Sequence, residues 1–202
     1  MDKTTLLKVG YGLYVLTAKD DEKDNGCIIN TLMQATSSPS LIGVITVNKQ
    51  NHTHDMIMKT QMFNVSILTT ETPFEIFEHF GFQSGSAINK FEIYTEIARS
   101  ENGIIYLTKN TNAFLSFNVT ETIDFGTHTM FKAEIVNGEV IGNAESLTYA
   151  YYQKHIKPRP QATSKTGYRC NICGYIYVGE DLPGYFVCPL CKHGASDFVK
   201  IS

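Results

Sequence analysis

Tyr168-Arg169-Cys170-Asn171-Ile172-Cys173-Gly174-Tyr175-Ile176-Tyr177 is answered further on by Phe186-Val187-Cys188-Pro189-Leu190-Cys191. Two residues between paired cysteines let one tight turn aim both sulfurs at a single ion. Two such turns complete a tetrahedron of thiolates. A segment as short as 168–202 cannot build an adequate apolar core alone, so a bound ion would substitute for part of it. Four of the five cysteines fall in these pairs; in a reducing compartment that pattern favours metal ligation over disulfides. The spacing alone leaves zinc and iron both open. The fifth, Cys27, has no cysteine partner, and its default reading is buried packing.

Immediately upstream, residues 156–167 hold two prolines and no large apolar side chain after Ile156. Such a stretch has nothing to bury and reads as an extended linker. Residues 1–155 before it read mostly as strands. Tyr11–Lys19, Cys27–Leu32 and Leu41–Asn48 are rich in β-branched and aromatic residues and are bounded by polar or glycine-containing turns. Leu115, Phe117, Val119, Ile123 and Phe125 alternate with polar residues, with one break at Glu121, which predicts one buried and one wet face. Phe131, Ala133 and Ile135 continue the pattern, and Asn137-Gly138 predicts a tight hairpin. Helices are expected from Thr53, as N-cap, to about Gln61; after a Thr72–Glu75 capping box, ending at Gly81; and over Ser146–His155. The fold class expected is mainly β: an antiparallel barrel closed to remove its edges, with a few helices and a small C-terminal metal-binding domain.

The chain has 202 residues, a net charge of −3 and no tryptophan. Near-neutrality gives no support to nucleic-acid binding, which usually needs a basic excess. No signal-peptide pattern opens the chain, and no stretch approaches the roughly 20 apolar residues of a membrane span. The expectation is a cytoplasmic protein with no membrane partner.

Two polar segments lie in the first third. Asn25-Gly26 is followed by Asn30, Thr31, Leu32, Met33, Gln34, Ala35 and the Thr36-Ser-Ser-Pro39 turn. Asn48, Lys49, Asn51, His52, Thr53 and His54 then lead into a helix. The N-terminus of that helix offers free N–H groups and a positive dipole end, which suit a phosphate. Lys49, Thr53 and His54 could add contacts, while His52 reads as solvated. No Gly-x-Gly-x-x-Gly is present, so any nicotinamide must bind without that fingerprint.

The C-terminal segment, through Cys-Gly-Tyr-Ile-Tyr, Phe186-Val-Cys-Pro-Leu-Cys and Asp197-Phe198-Val-Lys, resembles a rubredoxin. The resemblance implies one iron ion, ferric or ferrous, on Cys170, Cys173, Cys188 and Cys191, with Tyr168, Tyr175, Tyr177, Phe186 and Phe198 as a small aromatic core. Only 14 residues separate Cys173 from Cys188, the short form found in rubredoxin modules fused to other redox domains. Lys192 stands where rubredoxins often carry glycine, and its charge is expected to favour the reduced state of the iron.

Residues from about 5 to 150 resemble the flavin reductase family of FMN-binding split β-barrels. The resemblance rests on Asn30-Thr31, the Thr-Ser-x-Pro turn, Asn-Lys-x-Asn-x-Thr, and Phe80-Gly81-Phe-Gln-Ser84-Gly85 leading to Asn89-Lys90-Phe91. It implies FMN bound non-covalently, usually in a homodimer. Asn30 and Thr31 would lie near the ribityl chain or phosphate, and Leu32, Met33, Gln34 and Ala35 along the ring edge. Asn48, Lys49, Asn51, Thr53 and His54 would surround the phosphate; Ser84, Lys90 and Phe91 would close the site. For Lys90, a surface lysine is the competing reading. The two parts together resemble the high molecular weight rubredoxins. That implies an oxidoreductase in which FMN takes a hydride from NADH or NADPH and passes single electrons to the iron. The iron in turn reduces a partner such as a flavodiiron oxygen or nitric oxide reductase, a role in oxidative or nitrosative stress. Three alternatives stay open: a carrier fed by a separate reductase, a zinc-ribbon binding module on a flavin barrel, and a reductase that releases its flavin.

Overall fold

The computed structural model describes residues 5, 8–21, 23–158, 167–171, 174–188 and 194–201. Its residues group into two compact units, Gly10–Ile156, and Lys157–Ser202 together with Met1–Val9.

The larger unit is built on strands β1 (Tyr14–Asp20), β2 (Lys23–Ile29), β3 (Met33–Thr36), β4 (Ile42–Asn48), β5 (Met62–Leu68), β8 (Thr111–Asp124) and β9 (His128–Val140). They form one antiparallel sheet in the order β2-β1-β5-β8-β9-β4-β3. A short pair, β6 (Ile97–Arg99) and β7 (Ile105–Leu107), forms a second sheet. The large sheet curls: Cys27 and Ile29 near one end and Ile45 and Val47 near the other share one buried cluster with Phe63, Phe117 and Phe131. It does not close. β2 and β3 remain as edges without hydrogen bonds between them, so the barrel is split rather than continuous. Helix α1 (His52–Thr60) contributes Met56 and Ile57 to the same cluster. The β2 side chain of Asn25 donates to Thr53 Oγ1 of α1 at 3.0 Å. On the opposite face of β1, Val15 joins a second cluster with Ile76, Phe77 and Phe80 of α2 (Phe74–Gly81). β1 is therefore covered on both faces, which explains its nearly continuous burial.

Several local expectations are corrected. The N-cap of α1 is Asn51, in extended backbone, and Thr53 lies inside the helix. Thr72 forms no capping box; its hydroxyl donates to Asn110 O at 3.0 Å, and Pro73 takes the cap position. The third helix is shorter than expected: α3 covers Tyr149–Tyr151, with a wider π-helical turn over Tyr152–Ile156. Ser146 instead bridges to Thr69. Asn137-Gly138 makes no hairpin. Both lie inside β9, opposite Ser116 and Leu115, beside a register shift. The turn is at residues 125–127, where Gly126 has φ +78°. The far half of β8 is exposed on both faces, Ile123 included, as is Phe125 just beyond it.

In the C-terminal unit, β10 (Gly167–Cys170) is the centre of a three-stranded sheet between β11 (Ile176–Tyr177) and β12 (Phe198–Ile201). Gly167, read above as the last linker residue, is the first residue of β10. It has φ +145°, and a Cβ there would strike the Tyr177 carbonyl, so only glycine fits. The rest of the linker reading rests mainly on residues 159–166, outside the described residues.

Candidate functional site

The residues expected around the flavin divide into an exposed edge and a buried group. At the edge, Thr31 Oγ1 donates to Thr46 O at 2.8 Å and accepts from Thr46 N at 3.2 Å. One side chain thus extends the β3–β4 pairing ahead of the first residue of β3 and fixes Asn30-Thr31 beside the end of β4. There Asn48 turns the chain into α1: its side-chain oxygen accepts from Gln50 N at 2.9 Å and its carbonyl from Asn51 N at 3.0 Å. Leu32 packs against the core, while Met33, Gln34 and Ala35 are exposed. β3 is the last strand of its sheet. Its outer row of N–H and C=O groups has no strand beside it and suits the polar rim of a planar ring. Lys49 Nζ is paired with Asp124 at 2.7 Å. That hydrogen bond, then the Gly126 N–H, holds the Asp124 carboxyl below the usual carboxylate range.

Thr53, His54 and Lys90 are buried and bonded within the protein. Thr53 Oγ1 accepts from Asn25. The His54 ring hydrogen-bonds Thr129 Oγ1 and Asp55 Oδ1, both at 2.9 Å, and lies edge-on to Phe131. Lys90 is no surface lysine: it is 2% exposed, and its ammonium donates to Gly26 O at 2.7 Å and Phe80 O at 3.0 Å. Burial pushes it below the usual lysine range. Burial pushes the neighbouring Cys27 thiol up, with the Thr53 hydrogen bond and the Lys90 charge pulling the other way. Phe91 is half-buried against Phe80, at 5.6 Å between ring centroids, and Ser84 is exposed.

A cleft of about 290 Å³ is lined by Lys23, Asp24, His52 and residues 85–89. Arg99 takes up the Asp24 carboxylate in a two-pronged pair at 2.9 and 2.6 Å. The remaining lining includes an ammonium, an imidazole, the Ser86 hydroxyl and the Asn89 amide, a donor-rich set that fits a phosphate. Sequence reading missed Lys23, Ser86 and Asn89. Nothing in their spacing marks them; the β1–β2 hairpin and the 85–89 loop meet only in three dimensions. His52, read as solvated, lines this cleft.

In the C-terminal unit, Cys170 and Cys188 are 1% and 0% exposed. They share a cluster with Phe198, flanked by Tyr168, Tyr175, Tyr177, Leu182 and Phe186. The turn after Cys170 is closed by Gly174 N donating to Cys170 O at 2.9 Å and Cys170 N donating to Tyr175 O at 2.8 Å. Gly174 takes φ +77° there, a conformation for which glycine is suited. Cys173, Cys191 and Lys192 lie outside the described residues. Two sulfurs buried together inside an aromatic shell fit a soft-ligand metal site.

These features agree with the comparisons. Residues 6–159 match the family model "Flavin reductase like domain", and residues 168–199 match "Rubrerythrin, rubredoxin-like domain". The chain belongs to the flavin reductase-like family, in the form that carries a rubredoxin-like domain at its C-terminal end, and it is an oxidoreductase. Along its full length it is 35% identical, over 231 aligned positions covering 100% of both chains, to the high molecular weight rubredoxin of Moorella thermoacetica. It is 37% identical to the ferric-chelate reductase (NAD(P)H) of Archaeoglobus fulgidus, over 81% of this chain and 96% of that one. Its fold is that of the FMN-binding protein of Thermus thermophilus, with a TM-score of 0.62 at 17% identity, over 70% of this chain and 82% of that one. Flavin-based electron transfer follows from the fusion of the two domains. Among the described residues no helix is long and apolar enough to cross a membrane.

Proposed function

We propose that this chain relays electrons from NADH or NADPH, through FMN on the barrel, to an iron held by Cys170, Cys173, Cys188 and Cys191, and on to a separate acceptor. The observation that carries this reading is the full-length match to a high molecular weight rubredoxin, with a flavin reductase-like and a rubredoxin-like match joined in this one chain. The NAD(P)H donor is supported by the ferric-chelate reductase relative, whose name specifies it. FMN is the flavin of the Thermus thermophilus protein of like fold, FAD that of the Streptomyces globisporus NADH:FAD oxidoreductase; this reading takes FMN, and the test below identifies the flavin. When bound, FMN supplies the conversion of hydride transfer into single-electron steps.

In this reading the barrel binds and orients. Asn30, Thr31, Leu32 and the outer edge of β3 from Met33 to Ala35 hold the ring and ribityl chain. Asn48, Lys49 and Asn51 flank the phosphate end, and Ser84 lies on the facing loop. Thr53, His54, Lys90 and Phe91 support these groups from behind, through the hydrogen bonds and packing given above. In the C-terminal unit the aromatic shell limits water around the sulfurs and favours fast, reversible electron exchange. A flavodiiron protein that reduces oxygen or nitric oxide is the proposed acceptor, a homodimer the proposed assembly, and the cytoplasm the proposed location.

The test is cofactor content after gel filtration. Released flavin identified as FMN, together with one iron per chain and a red protein, supports the reading. Zinc in place of iron contradicts the relay, and flavin lost on the column points to a reductase that releases it.

A further inference from the structure

Lys90 is a buried charge with an unusual set of partners. Burying an ammonium is costly unless it is hydrogen-bonded, and here both bonds go to main-chain carbonyls on other elements, Gly26 of β2 and Phe80 near the end of α2. A cation is favoured at a helix C-terminus. The Lys90 carbonyl is held as well, accepting from His79 Nε2 at 2.7 Å. Lys90 is therefore fixed from both its side chain and its backbone.

The loop before it is pinned at a second point. Ser84 O accepts from Ala87 N at 3.1 Å and Ile88 N at 3.2 Å, which folds the loop into a turn. Gly85 lies so close to the Asn25 carboxamide that a Cβ would collide with it, and Asn25 is itself tied to Thr53. Residues 85–89 thus span two fixed points, Gly85 at one end and Lys90 at the other. That same stretch lines the cleft together with Lys23 and His52.

We propose that Lys90 is a positioning residue: its buried ammonium clasps residues 85–89 into place as one wall of a phosphate-receiving cleft and does not itself touch the ligand. The inference rests on the flavin reading above. The phosphate belongs either to FMN or to the reduced nicotinamide nucleotide, so the two are measured separately.

The experiment uses the full-length chain with Lys90→Met and Lys90→Arg. FMN affinity is read by fluorescence titration, KM and kcat for NADH with FMN at saturation, and the 31P resonance of bound FMN by NMR. A clasp in a closed pocket tolerates neither the loss of the ammonium nor a larger guanidinium. Both variants are expected to weaken one phosphate ligand by about tenfold or more. A raised FMN dissociation constant with a displaced 31P signal assigns the cleft to the flavin; a raised KM for NADH at unchanged kcat assigns it to the nicotinamide nucleotide. A Lys90→Arg protein that binds as tightly as the unaltered one, while Lys90→Met does not, shows direct contact with the phosphate and overturns the proposal. Unchanged ligand constants and an unmoved 31P signal in both variants overturn it too. If either variant fails to fold, Gly85→Ala disturbs the same wall with Lys90 intact; the same loss supports the clasp, and undiminished binding refutes it. Unaltered protein that binds neither FMN nor NADH overturns the flavin reading and this inference together.

Discussion

In the barrel, thirteen buried residues from six strands and α1 form a single apolar cluster, with Phe63 and Phe117 stacked at 4.6 Å near its middle. In the C-terminal unit, the buried cluster among the described residues is Cys170, Cys188 and Phe198, with partly exposed rings around it. Apolar burial stabilises in proportion to area removed from water, so the first unit has a core able to hold its fold. The second has two sulfurs where a larger domain would have aliphatic side chains, and on the proposed reading its stability depends on the ion those sulfurs bind. On the proposed reading one part of the chain is held by packing and the other by ligation, and each can be attacked by its own means.

The largest expected effect is on the ligated unit. Cys170→Ser or Cys188→Ser should abolish its metal binding, and with it the order of β10–β12, since structural tetrathiolate sites contribute on the order of 10 kcal/mol. Amide exchange should show loss of protection in residues 167–201 while β1, β5 and β8 stay protected. Loss of protection in both units would end the comparison. In the opposite direction, Phe117→Ala should destabilise the barrel by roughly 3–5 kcal/mol and leave the metal content of the folded protein unchanged, as followed by urea denaturation with metal analysis.

A smaller effect separates support from contact within the barrel. Thr53→Val leaves the Asn25 amide without its buried acceptor and should cost about 1–3 kcal/mol, measured by thermal unfolding without any flavin. No change in stability would return Thr53 to the list of groups reserved for ligand. Smallest is the exposed Lys49–Asp124 pair. Asp124 titrates below its ordinary value in the folded chain. Its contribution is therefore present above the unfolded carboxylate pKa and disappears as pH falls through the lower folded value. Asp124→Asn should flatten that acid limb only slightly, because surface pairs contribute little; a large change in acid stability would contradict the exposed geometry.

How far the sequence could be read follows the same division. The proposed ligation is written locally: Cys-x-x-Cys suggests a metal site without knowledge of the barrel, and the aromatic residues expected around it do pack against Cys170 and Cys188. Strands were legible where one face is buried, as in β4, whose burial alternates cleanly. Reading failed where a long-range contact overrides a local signal. Asn137-Gly138 has the composition of a turn, yet Gly138 lies where a Cβ would come within 2.7 Å of the Leu115 side chain; close strand approach, not a positive φ, explains that glycine. The apolar periodicity of Ile123 and Phe125 promises a buried face, but β5 pairs with β8 only as far as Asn118; beyond it β8 stays exposed while the facing Thr129 and Phe131 of β9 are buried. Lys90 could be read as ligand contact or surface residue because nothing local tells a lysine that it will meet the carbonyls of Gly26 and Phe80.

The relay itself is tested most directly by anaerobic stopped-flow mixing of the purified full-length protein with NADH, following the flavin and ferric-iron absorbances separately. The account predicts that the flavin bands bleach first and the iron bands follow within the same reaction, without added mediator. Flavin bleaching with iron that stays ferric, or no change in either chromophore, would contradict it.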